Sequence, residues 1–217
     1  MLTRTGPVPI IHAAARFVVV DKPAWMLSVP GKGPEKADCV ASRIAGMFPS
    51  ATGPLVVHRL DMETSGLMVL GLDEEAQRDL SRQFEERLTQ KRYIALLPRW
   101  GPDRSELPDS GTVDLPMRAD IENRPIQVVD HEHGRDAITN WRVLSREVDR
   151  LRVRFEPVTG RTHQLRVHAA IGLSRPIVGD ALYDGEPADR LMLHAASLSF
   201  LEPGTRRRIS FESPAPF

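Results

Sequence analysis

The chain has 217 residues, 41% hydrophobic and 27% charged, with 18 prolines and 15 glycines. This composition suits a soluble globular protein of one large or two closely joined domains, and excludes a disordered chain, a collagen-like repeat and a membrane bundle. Its 29 basic and 29 acidic residues cancel, which argues against a surface that binds nucleic acid throughout, and its single cysteine, Cys39, excludes a disulfide scaffold and a Cys-rich zinc cluster.

A reducing cytoplasm is the expected location. Arg4 is followed by Pro7, Pro9 and His12, which interrupt any hydrophobic stretch of a secretory signal. Residues 1–16 are therefore expected to be a short tail, and 17–217 a single catalytic domain. The first element is a buried strand, Arg16-Phe17-Val18-Val19-Val20-Asp21-Lys22, closed by Pro23. Asp38 is the expected cap of a helix over 39–48, ended by Pro49. A strand over 55–57 delivers His58 to a loop, and 67–72 forms a second apolar strand. Asp73 caps a helix in which Ala76, Leu80, Phe84 and Leu88 recur every four residues. A strand follows over 91–97, and 98–116, rich in Pro, Gly, Asp and Ser, reads as a surface loop or hinge.

The second half reads mostly as strand, over 126–129, 137–144, 151–156 and 191–200, with one helix over 162–171. Leu151, Val153 and Phe155 alternate with Arg150, Arg152 and Arg154, so the arginines line the opposite face. Between 150 and 175 six arginines stand against one carboxylate, Glu156, a local charge of +5. Strand runs with a few helices and short connections predict an α+β fold.

Three segments place polar residues where an apolar framework aims them. The first is His58-Arg59-Leu60-Asp61-Met62-Glu63-Thr64-Ser65-Gly66, a loop between strands. The second is Thr159-Gly160-Arg161-Thr162-His163-Gln164-Leu165-Arg166-Val167-His168, where Arg161, His163, Gln164 and Arg166 are candidates to contact phosphate or a base. The third, Lys91-Arg92-Tyr93, offers a ring for stacking. Leu60 interrupts the His-Arg-Asp of a protein kinase, and no Gly-rich phosphate loop accompanies it. Neither His131-Glu132-His133 nor the pair His163 and His168 has the spacing of a zinc hydrolase helix.

Together with Val19-Val20-Asp21-Lys22-Pro23, Pro176-Ile177-Val178-Gly179-Asp180 and Leu193-His194-Ala195, these motifs closely resemble the RluA family of RNA pseudouridine synthases. Leu27-Ser28-Val29-Pro30-Gly31, Val113-Asp114-Leu115-Pro116 and Asn123-Arg124-Pro125 are similar to its short members, which lack an N-terminal S4-type domain. The resemblance implies a mixed, largely antiparallel bent sheet flanked by helices and loops, with a central catalytic cleft. It implies Asp61 as the catalytic aspartate, Tyr93 as the residue packed against the target uracil, and Arg166 as the basic partner of the aspartate. Arg59 is implied in filling the space of a flipped nucleotide, with His58, Arg161, His163 and Gln164 as further RNA contacts. The implied substrate is structured RNA, large-subunit ribosomal RNA or transfer RNA or both, with no cofactor, no metal, no obligate protein partner and a monomeric chain.

Two positions depart from the family pattern. Arg175 stands where His is usual, and Asp184 where Gly is common. A non-catalytic RNA-binding or chaperone module is the rival reading, and the joint presence of Asp61, Tyr93 and Arg166 speaks against it. Isomerising uridine breaks N1–C1′ and joins C5 to C1′ without redox change. An ionised carboxylate can attack C1′ or abstract a sugar proton, and the target base must first be turned out of its stack.

Overall fold

The computed structural model describes residues 6–102 and 105–217. Arg4 and the first part of the expected tail lie outside the described residues. The chain forms two compact units, one of Met1–Lys91 with Ala195–Pro216, the other of Arg92–His194 with Phe217.

In the first unit, β1 (Ile10–Ala13) pairs antiparallel with β2 (Phe17–Lys22), and β2 with β3 (Ser65–Gly71). β1 therefore lies inside the segment read as a tail. All four of its residues are exposed, so no apolar periodicity marks it in the sequence. After the first unit's chain has passed through the second, β10 (Leu193–Leu201) brings it back and pairs with β11 (Arg208–Glu212). Helix α2 (Glu74–Glu85) begins as expected, with the Asp73 carboxylate accepting the Ala76 N–H at 2.8 Å. Phe17, Val19, Leu67, Val69, Leu80, Leu198 and Phe200 form this unit's main core.

Helix α1 (Val40–Met47) is capped by Cys39 rather than Asp38. The Cys39 Sγ accepts the Ser42 N–H while Ser42 Oγ accepts the Cys39 N–H, a reciprocal capping box. Asp38 is instead held by Arg43, which keeps its carboxyl below the ordinary range. The expected strand over 55–57 is reduced to a single bridge, Val56 to Leu70.

The second unit carries β4 (Gln90–Pro98, from Arg92 on), β9 (Arg150–Pro157), β8 (Ile138–Arg146) and β5 (Ser110–Asp114), neighbours in that order and all antiparallel. β5 falls in the stretch read as loop, where Gly111 and three exposed neighbours hide the alternation. A separate hairpin pairs β6 (Met117–Ala119) with β7 (Gln127–Val129). Leu151, Val153 and Phe155 are fully buried, as their alternation predicts, and pack with Ala95, Leu97, Trp141 and Leu165.

The expected helix over 162–171 is shorter and mixed. α3 (Gln164–Val167) runs directly into a π-helical turn over His168–Gly172. His163 precedes it in the left-handed region, φ 53°, an unusual position for a non-glycine residue that ends any earlier helical turn.

Candidate active site

The first unit builds a loop around Asp61. Leu60 is buried, and both of its backbone groups are held by one side chain: Ser28 Oγ accepts its N–H at 3.0 Å and donates to its carbonyl at 2.7 Å. On the other side of Asp61, the Met62 carbonyl accepts from Lys22 Nζ at 3.0 Å. Lys22 is fully buried and also donates to the carbonyls of Pro23 and Met26. Buried ammonium groups demand such partners. The Asp61 carbonyl closes the turn by accepting the Thr64 N–H at 3.2 Å. Asp61 is thus gripped through both neighbours, while the residue itself stays half-exposed.

Gly66 ends the loop at φ 113°, and a Cβ there would come within 2.4 Å of the Ala195 carbonyl oxygen, so both the backbone angle and the space require glycine. His58, expected on RNA, is built into this unit. Its ring stacks on Phe84 at 4.3 Å and its Nε2 accepts the Val69 N–H at 3.2 Å. Desolvation, with the charge of Lys91 second, pushes its pKa down to about 3, so the ring is neutral at pH 7. Arg59 is exposed on the same loop.

The remaining candidates lie in the second unit. Tyr93 is half-buried on β4, opposite Phe155, and packs against the core of that unit. Arg166, 2% exposed, forms a two-point pair with the fully buried Asp180: Nε to Oδ2 at 2.8 Å and Nη2 to Oδ1 at 2.6 Å. Its guanidinium also lies over the Tyr183 ring at 5.4 Å. Asp180, the last residue of the Pro176–Asp180 motif, is thus a buried carboxylate partner of Arg166 that no sequence pattern connects to it. Gly179, at φ 81° with a Cβ position 1.9 Å from the Arg190 carbonyl oxygen, sets the turn that delivers Asp180.

Two residues expected to touch RNA are spent on internal bonds. Gln164 Oε1 accepts from Thr159 Oγ1 and the Arg161 N–H, and its Nε2 donates to the Ile138 carbonyl and Thr139 Oγ1, a full complement for an amide. His163 is buried, with Nδ1 2.8 Å from the Tyr183 hydroxyl, which also accepts the Gln127 N–H. Both side chains are buried and held by partners within the protein. Arg161 is half-exposed, its Nε donating to the Asp136 carbonyl.

The departures from the family pattern are local. Asp184 takes φ 59°, the angle that makes glycine common there and that Asp tolerates. Arg175 is buried and donates to the carbonyls of Leu173 and Ser105. Among the described residues no group of three or more His, Cys, Asp or Glu is arranged to hold a metal ion, and no helix is long and apolar enough to cross a membrane.

An RNA pseudouridylate synthase family model matches residues 16–170, and the chain belongs to that family of isomerases, which turn uridine into pseudouridine within RNA. Among its relatives, the dual-specificity RNA pseudouridine synthase RluA of Yersinia pestis is 42% identical over 213 residues, covering 96% of this chain and 99% of the relative. The RluA of Vibrio vulnificus is 44% identical over 217 residues, covering 96% and 83%. Of solved structures, human RNA pseudouridylate synthase domain containing 4 superposes with a TM-score of 0.74 at 26% identity, covering 96% of this chain and 88% of that one. Human RNA pseudouridylate synthase domain containing 1 gives 0.75 at 28%, covering 97% and 84%.

Proposed function

We propose that Asp61 is the carboxylate that acts at C1′ of the target uridine, with Tyr93 against the uracil and Arg166 as the basic group that keeps the aspartate ionised. The observation that carries this reading is the double grip on the Asp61 backbone, Ser28 on Leu60 and Lys22 on Met62, around a side chain that is left half-exposed. A fold that spends a buried lysine and a buried serine on the two neighbours of one carboxylate is holding that carboxylate in place. The reaction needs no redox partner: the N1–C1′ bond breaks, the uracil turns, C5 bonds to C1′, the C5 proton leaves and N1 takes up a proton. Tyr93 supports the base by stacking.

The exposed Arg59 and the half-exposed Arg161 contact the RNA directly, on a framework that His58, His163 and Gln164 hold in place. The substrates are structured RNAs of the kind the relatives' dual specificity suggests, stem-loops in transfer RNA and large-subunit ribosomal RNA, met in the cytoplasm by a monomer without cofactor. Asp61→Asn keeps the shape of the residue and removes its charge. Pseudouridine formation in unmodified transfer RNA transcripts should vanish while RNA binding persists, and measurable turnover by purified Asp61→Asn would refute the assignment.

A further inference from the structure

The second unit carries a charged face that the reaction does not use. Leu151, Val153 and Phe155 of β9 turn into the core, and Tyr93 shares their side of the sheet through its pairing with Phe155. Arg152 and Arg154 therefore occupy the opposite side. There Arg142 of β8 stands directly across from Arg154. Arg154 and Arg92 divide a single carboxylate, their Nε atoms 3.2 and 3.0 Å from the same Glu156 oxygen. Arg142 is exposed and has no ion pair among the described residues. Arg152 donates to the Phe217 carbonyl and lies over its ring.

Like charges directly opposite one another weaken an antiparallel pair. A single acidic side chain in place of Arg142 would convert that repulsion into attraction, so the present arrangement is one that stability alone disfavours. Guanidinium groups set side by side on a rigid sheet suit phosphate oxygens, which each planar fork can engage at two points.

We infer that the face formed by Arg92, Arg142, Arg152 and Arg154 is a docking surface for RNA phosphates, on the opposite side of the sheet from Tyr93. This rests on the reading of RNA as substrate given above, and it adds a second contact region that the motifs do not mark. The occupant is the sugar-phosphate backbone of the RNA beyond its reacting nucleotide, because four cationic side chains against one acidic side chain complement a polyanion. The contact is without base preference.

The test is Arg142→Glu in the full chain, bound to an unmodified transfer RNA transcript over a range of salt. Replacing repulsion by a cross-strand ion pair should raise the melting temperature by about 1–4 °C. The same change should weaken RNA binding about five- to tenfold and lower the slope of log K against log salt by about one to two, since it removes one cation and neutralises another. The rate at saturating enzyme should stay within about twofold, as the chemistry is untouched. Arg142→Ser should lower the slope by about one and serves if the reversal fails to fold. Unchanged affinity and slope in a folded variant would overturn the docking surface and leave the enzymatic reading intact. Failure of the wild-type protein to make pseudouridine in transfer or ribosomal RNA would instead defeat the substrate reading, and the docking surface with it.

Discussion

Ser28→Ala removes one oxygen atom and with it both hydrogen bonds that fix Leu60. Leu60 and Ser28 are 7% and 4% exposed, so water cannot readily replace the lost partner. An unsatisfied buried donor or acceptor costs about 1–3 kcal/mol; with two such groups and some relaxation of the loop, we expect a loss of about 2–4 kcal/mol. For a chain of this size that lowers the melting temperature by about 5–15 °C. The catalytic effect should be larger than folding accounts for, because the next residue is Asp61 and a displacement of about 1 Å at a reacting group costs on the order of a hundredfold in rate. The assay is single-turnover release of tritium from C5-tritiated uridine in an RNA transcript, at saturating enzyme and at a temperature where the variant is fully folded. RNA affinity measured alongside should change little. A folded Ser28→Ala with a saturated rate within twofold of wild type would show that the grip on Leu60 does not position the aspartate.

The depressed pKa of His58 makes stability depend on acid. The folded protein keeps the ring neutral down to about pH 3, whereas the unfolded chain takes up a proton below the ordinary value of 6.5, so acid favours unfolding. Urea unfolding between pH 6.5 and 5 should show stability falling by up to about 1.4 kcal/mol per pH unit from this group, and the slope should flatten in His58→Gln, whose amide oxygen can still accept the Val69 N–H. Arg166→Met strands the Asp180 carboxylate in the interior, at a cost of about 3–5 kcal/mol. Adding Asp180→Asn should recover most of that stability in urea unfolding while the single-turnover rate stays low; recovery of rate along with stability would mean that Arg166 serves the fold alone.

What the sequence made legible follows the strength of its periodic signals. β2, β3, β4, β9 and β10 are legible because buried apolar residues recur in them. β1 and β5 are not, because edge strands with exposed side chains carry no alternation. Helix α2 announced its cap through Asp73, whereas the cap of α1 misled, since a thiol is a poorer acceptor than a carboxylate and only the reciprocal Ser42 bond makes Cys39 effective. At the site, motifs located the residues without their partners. Gln164 and His163 look like ligands on paper because amides and imidazoles bind RNA, yet their bonds reach residues such as Ile138, Thr139 and Tyr183, which no local pattern connects to them. Lys22 and Ser28 were missed for the converse reason: lysine and serine are usually at the surface, and only the three-dimensional path of the chain reveals the carbonyls they serve.

The β1 strand has one further consequence, for self-association. Among the described residues it lies at the end of the strand order and pairs only with β2, and it carries Ile10 and Ile11 at 38% and 42% exposure. A bare edge with apolar side chains is a template on which a second chain can add a strand. Here the pairing slips between Ile10 and His12, and Pro7 and Pro9 stand just ahead of it. A bulge twists the edge out of register, and each proline removes a backbone donor that an added strand would need. The irregular register and the two prolines therefore act as a barrier against strand addition at an edge whose isoleucines would otherwise invite it.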